Sequence, residues 1–197
     1  MKNKRLIFGI IFLVAGLTLI SVPLYYEIQH DKEVRALEEA LSLISKSNGD
    51  SVDLSVIENL SFSEEEITQI MELEIPSINL KQKILGETTE DNLKVALTQL
   101  KKDQTPGTGN FTIAGHRGYR GDRHFSRLPQ VSIGDEVFLH TGKQTFIYQI
   151  TKTKVIEPTF VEILDNHQEK NEITMITCTI SGLDRIAVVG ELIEIID

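Results

Sequence analysis

Leu6 to Tyr26 runs for 21 residues without a charge, and no other feature restricts the fold of this chain so tightly. At about 1.5 Å per residue, a helix of that length crosses the roughly 30 Å hydrocarbon layer of a bilayer. Lys2, Lys4 and Arg5 precede the run, and Tyr25 and Tyr26 close it. Cations on the leading side favour a cytoplasmic N-terminus, and tyrosines suit the far interface. The run is longer than the roughly 7 to 15 apolar residues of a secretory signal, and no small-x-small cleavage site follows it. The reading is a retained single-pass anchor in the cell membrane, with the chain beyond residue 26 outside the cytoplasm.

That placement gives weight to Cys178, the sole cysteine. A lone thiol outside the cytoplasm cannot close an intrachain disulfide. It is core filler, half of an intermolecular bridge, or a nucleophile. The formal charge is −9, and −12 once the three cations before the anchor are set aside. No basic stripe with interleaved aromatics accompanies this acidity, so nucleic acid is not a partner.

The pattern divides the chain into a tip and anchor (1–26), a juxtamembrane helical linker (27–70) and a strand-rich domain (71–197). In the linker Val34, Leu37, Leu41 and Ile44 recur at helical spacing, and Asn48-Gly49 ends that helix. Ser63-Glu-Glu-Glu66 is a capping-box start for a short helix through about Ile70. From Leu73 onward strands dominate, with Pro76 interrupting the first. A helix capped by Thr89 is expected to run to Leu100. Strands are expected at Phe111–Ala114, Glu136–His140, Thr145–Ile150, Lys152–Ile156, Ile173–Thr177 and Ile186–Ile195, with a hairpin turn at Thr141–Gln144. Many short strands with few helices imply a closed, mainly antiparallel β-barrel of about eight strands.

If Cys178 is a nucleophile it needs an acid or base and an oxyanion donor. Of the five histidines, His30 lies just past the anchor, His167 sits in a polar loop and His140 flanks a hairpin turn. His124 sits in the basic loop Asp122-Arg-His-Phe-Ser126. His116 stands where the strand Phe111–Ala114 runs out, between Gly115 and Gly118, which leaves an imidazole reachable at a barrel rim. It is the candidate, with His124 the runner-up. Arg185 begins the strand after Cys178, and a strand, short loop and returning strand bring facing ends together. Its fixed, permanently charged donors suit a substrate carbonyl and a developing oxyanion.

Three segments together resemble the sortases, membrane-anchored cysteine transpeptidases of Gram-positive bacteria. Thr174-Met-Ile-Thr-Cys178 resembles the family's Thr-Leu-x-Thr-Cys signature, with Met175 a volume-conserving exchange. Asn110-Phe-Thr-Ile-Ala-Gly-His116 resembles the strand that delivers its histidine, and Arg185-Ile-Ala-Val-Val-Gly190 its arginine strand. The resemblance implies that Cys178 attacks the threonine carbonyl of a Leu-Pro-x-Thr-Gly-like sorting signal to give a thioacyl enzyme. It implies that His116 passes the proton between amines, Arg185 holds the signal and stabilises the tetrahedral intermediate, and Thr177 helps position substrate. The implied partners are secreted proteins carrying that signal and an amine of lipid II or peptidoglycan.

Glu74-Ile-Pro-Ser-Ile-Asn-Leu80, Gly115-His-Arg-Gly-Tyr119 and Phe125-Ser-Arg-Leu128 lean to class D, with class A the alternative. No cofactor is required by the resemblance. Some class A members bind Ca²⁺, and Glu157, Glu162, Asp165 and Glu169 are the residues that could supply oxygen ligands here. Two other readings stand beside this one. A papain-like endopeptidase usually places its cysteine before its histidine, and an L,D-transpeptidase carries a Ser-His-Gly-Cys type motif absent here. A membrane-tethered binding module would use Cys178 as core filler.

Overall fold

The computed structural model describes residues 2–46, 52–60, 62–102, 104–118, 123–167 and 169–197. Asn48-Gly49, Tyr119 and Asp122 lie outside the described residues. Contacts divide the chain into two units, Met1–Phe62 and Ser63–Asp197.

The first unit is dominated by α1, Lys2–Lys46, a single helix with Pro23 inside it. The helix runs on from the anchor segment into the linker segment, and nothing between Pro23 and Lys46 breaks it. Glu, Ala, Leu and Lys dominate there, and these are strong helix formers. The segment Ile7–Ile44 contains a window apolar enough to cross a membrane. Thr18 and Ser21 turn their hydroxyls back onto the Val14 and Thr18 carbonyls, at 2.9 and 3.3 Å. A hydroxyl satisfied within its own helix is compatible with lipid. In the linker part Leu37 is buried and Val34, Leu41 and Ile44 are half-buried, as the spacing predicts.

The second unit opens with α2, Glu64–Thr68, whose capping box is formed as the sequence implies. The Ser63 N–H donates to the Glu66 carboxylate at 2.8 Å, and the Glu66 N–H donates to the Ser63 hydroxyl at 3.3 Å. Eight strands follow: β1 Met71–Ile75, β2 Leu80–Leu85, β3 Leu97–Gln99, β4 Asn110–Ala114, β5 Glu136–His140, β6 Thr145–Ile156, β7 Glu172–Cys178 and β8 Arg185–Ile196. They close into a barrel in the order β1-β2-β3-β4-β7-β8-β6-β5. Pairing is mainly antiparallel, with β2–β3 and β4–β7 parallel.

Two elements differ from expectation. The helix α3, Glu90–Val95, is capped by Thr89 but stops five residues short of Leu100. Ala96 turns extended, and Leu97 pairs with Ile84 and is wholly buried. Barrel pairing outweighs the weak helical preference of a short segment. The two strands expected over Thr145–Ile156 are one, with a register shift between Ile150 and Lys152 that carries it past β8. The barrel interior is filled by alternate residues, among them Leu73, Ile84, Phe111, Leu139, Met175 and Val188. Tyr148 is buried there as well, and its hydroxyl accepts the Gly107 N–H at 2.9 Å.

Candidate active site

Register decides which side chains meet. In the β7–β8 pair Cys178 is the Cα partner of Arg185. Directly opposed residues on antiparallel strands have Cβ atoms about 5 Å apart. The turn joining them is fastened from within. The Thr179 N–H donates to the Asp184 carbonyl at 2.9 Å, and the Gly182 N–H to the Thr179 carbonyl at 3.0 Å. Gly182 takes φ +73°, a left-handed value that suits glycine. Arg185 Nη1 donates to the Gly182 and Asp184 carbonyls at 3.1 and 3.2 Å, which ties the guanidinium to the turn.

His116 reaches the same level from the other side. β4 runs parallel to β7 with Ala114 opposite Ile176. The Gly115 N–H donates to the Ile176 carbonyl at 3.1 Å, extending the pairing one residue further. Two residues past Ala114 stands His116, level with Cys178, two residues past Ile176. Adjacent strands lie about 4.8 Å apart, so the β4–β7 register, continued two residues beyond its last pair, leads the backbone of His116 toward that of Cys178 at the rim of the barrel. Its side chain is exposed, and Cys178 and Arg185 are half-buried.

Gly115 is fixed in type by its surroundings. A Cβ there would stand 2.4 Å from Leu97 Cδ2 and 2.8 Å from Phe125 Cδ2. A side chain at 115 would have to displace Leu97 and Phe125, so the approach that brings His116 to the rim favours glycine. Thr177 alternates away from Cys178, toward the interior with Met175, and is 2% exposed. Its Oγ1 is buried and makes no hydrogen bond, an uncommon state for a polar atom.

The remaining histidines have other neighbours. His140 Nδ1 bonds the Thr145 hydroxyl at 2.9 Å, and His167 Nδ1 lies 2.6 Å from a Glu172 carboxylate oxygen. His124 is buried, with its ring centroid 6.5 Å from that of His116.

The connection between β6 and β7 is moored to the head of β4. The Asn110 side-chain amide donates to the Ile163 and Asp165 carbonyls at 3.0 and 3.2 Å and accepts the Thr174 hydroxyl at 2.8 Å. Lys101 Nζ donates to the Leu164 carbonyl at 2.7 Å and to Asn166 Oδ1 at 3.3 Å. Burial pushes the Lys101 ammonium below the usual lysine range, with Asp165 opposing in part. Sequence reading missed both moorings; the one available signal was a polar residue heading an otherwise apolar strand.

The four acidic residues suggested as Ca²⁺ ligands do not gather. Among the described residues the trio whose ligand atoms come close enough to share an ion is Glu72, Glu74 and His140. Lys81 already bridges those two glutamates at 3.0 and 3.3 Å. In the β6–β7 connection the Lys101 ammonium is held by Leu164 and Asn166 and feels the Asp165 carboxylate.

A cavity of about 370 Å³ opens beneath this connection, lined by Thr151, Lys152, Ile163, His167, Thr174 and Val189 among others. Thr174 lies on the same face of β7 as Cys178, two alternations earlier, and Val189 is its β8 partner. The cavity and the thiol therefore share one face of the sheet.

The sortase-domain family profile matches residues 73–193. The chain belongs to the sortase family. Sortase A of Bacillus anthracis is 30% identical over 97% of this chain and 97% of its own length. Sortase D of Bacillus subtilis is 32% identical over 54% of this chain and 52% of its own length. The crystal structure of sortase A from Listeria monocytogenes superposes with a TM-score of 0.62 at 30% identity, over 66% of this chain and 90% of that one. A sortase D5 transpeptidase from Clostridium perfringens gives a TM-score of 0.63 at 26% identity, over 83% and 99%. Membership makes this a membrane-anchored cell-wall transpeptidase acting on proteins that bear sorting signals.

Proposed function

We propose that this sortase cleaves a Leu-Pro-x-Thr-Gly-like signal after threonine through a thioacyl intermediate on Cys178, and passes the acyl group to a cell-wall amine. The observation that carries the reading is the register that pairs Cys178 with Arg185 and sets the end of β4, two residues before His116, beside β7.

The Cys178 thiolate adds to the threonine carbonyl, giving a tetrahedral oxyanion beside the Arg185 guanidinium. Collapse expels the glycine amine, which takes its proton from the His116 imidazolium and leaves a thioester. The incoming amine loses a proton to His116 as it attacks, and the thiolate is released. Each proton taken is returned, so one imidazole serves both halves. Thr177 helps to position substrate through the strand it shares with Cys178, since its own hydroxyl is buried on the interior face. Residues upstream of the threonine run along the shared sheet face toward the cavity beneath the β6–β7 connection.

The anchor holds the N-terminus in the cytoplasm and the barrel outside, where signal-bearing secreted proteins and an amine of lipid II or peptidoglycan meet. No divalent cation is required, because Lys101 and Asn110 already hold the connection that borders the substrate face. Class D is favoured over class A by the Glu74-Ile-Pro-Ser-Ile-Asn-Leu80, Gly115-His-Arg-Gly-Tyr119 and Phe125-Ser-Arg-Leu128 segments of the sequence. The test is incubation of the full chain in detergent with a panel of Leu-Pro-x-Thr-x peptides and an added amine, with and without EDTA. Mass spectrometry should find the amine joined to threonine in both conditions; hydrolysis alone would point to an endopeptidase.

A further inference from the structure

We infer that His124 is a positioning residue, whose buried ring meets that of His116 edge to face and fixes how that imidazole is presented at the barrel rim. The inference rests on the function proposed above.

His116 is an exposed side chain at a strand end, where two side-chain torsions are otherwise free to vary. The backbone around it is closed. The Phe125 N–H donates to the His116 carbonyl at 3.1 Å, and Arg117 and His124 form an antiparallel bridge. Those contacts fix the main chain of His116 but not its ring. The ring is met by His124, with centroids 6.5 Å apart and planes at 79°, an edge-to-face arrangement.

The backbone of His124 argues that this placement is maintained against strain. Its φ is +46°, in the left-handed region that costs about 1 kcal/mol or more for a residue with a Cβ. Asn59, Asn79 and Glu169 also take positive φ, but all three are exposed. Among the described residues His124 is the one non-glycine that combines this conformation with burial, at 8% exposed. A strained, buried aromatic packed on the proposed acid–base residue points to function rather than to the fold alone.

His124→Asn tests this, since asparagine accepts left-handed backbone but has no ring. Steady-state kinetics of the full chain in detergent should give a kcat reduced about tenfold, the cost of a modest misorientation. KM should stay within about twofold and Tm within about 3 °C. His124→Phe, which returns an aromatic ring, should recover most of the lost kcat. Wild-type kcat in the asparagine variant, a phenylalanine variant no better than it, or a Tm collapse in both would overturn the inference. Cys178→Ala runs alongside: an inactive Cys178→Ala beside a fully active His124→Asn sinks only the positioning role. Transpeptidation persisting without the thiol removes the function proposed and this inference with it.

Discussion

At the scale of single residues, the three proposed catalytic side chains differ in how replaceable they are. Cys178→Ala should abolish the acyl-enzyme. His116→Ala and Arg185→Ala should each lower kcat/KM by about two orders of magnitude or more, with Tm nearly unchanged, because their work belongs to the transition state. Thr177→Val is a sharper probe. It removes a buried hydroxyl that has no protein partner, so stability should hold or rise while kcat/KM falls. Unchanged kcat/KM would leave that hydroxyl outside the reaction. Gly115→Ala forces a methyl into Leu97 and Phe125. It should cost about 1 to 3 kcal/mol in denaturant titration and slow turnover by shifting His116.

At the scale of elements, the barrel shows why some features were legible in the sequence and others were not. The capping box at Ser63, the hairpin around Thr141–Gln144 and the Cys178 and Arg185 strands are local patterns, and they form as written. The overreach of the Thr89 helix came from treating Leu93, Leu97 and Leu100 as one helical face. Leu97 belongs to a parallel pair with Ile84, and pairing across the barrel leaves no mark in a window of a dozen residues. Proximity of Cys178 to Arg185 could be read from their separation; the level of His116 depends on β4 lying parallel beside β7, which no local pattern encodes. The mooring of the β6–β7 connection is equally non-local, since Asn110 reaches residues more than fifty positions away. Asn110→Ala leaves two carbonyls and a threonine hydroxyl without their partner. It should cost about 3 kcal/mol in urea unfolding and open residues 157–171 to limited proteolysis.

For the whole molecule, stability and placement are separable from chemistry. Burial pushes the Tyr148 hydroxyl up to about 12, with the Gly107 N–H pulling slightly the other way. A raised value means the folded state holds its proton after the unfolded chain has released it. That contribution is intact below about pH 10, the ordinary tyrosine value, and is lost as pH climbs toward 12. Wild type should therefore lose more unfolding free energy between pH 9 and 11 than Tyr148→Phe does, in paired denaturant titrations. Removing residues 1–26 should release the protein from membranes in a flotation assay. The central claim is that Cys178 carries the acyl group, and intact-mass spectrometry tests it most directly. The full chain in detergent is mixed with a Leu-Pro-x-Thr-Gly peptide, without amine, and quenched in acid. The expected result is an added mass equal to the peptide through threonine less one water, localised to Cys178 and absent from Cys178→Ala. Peptide cleavage that proceeds in Cys178→Ala, with no adduct on the wild-type thiol, would contradict it.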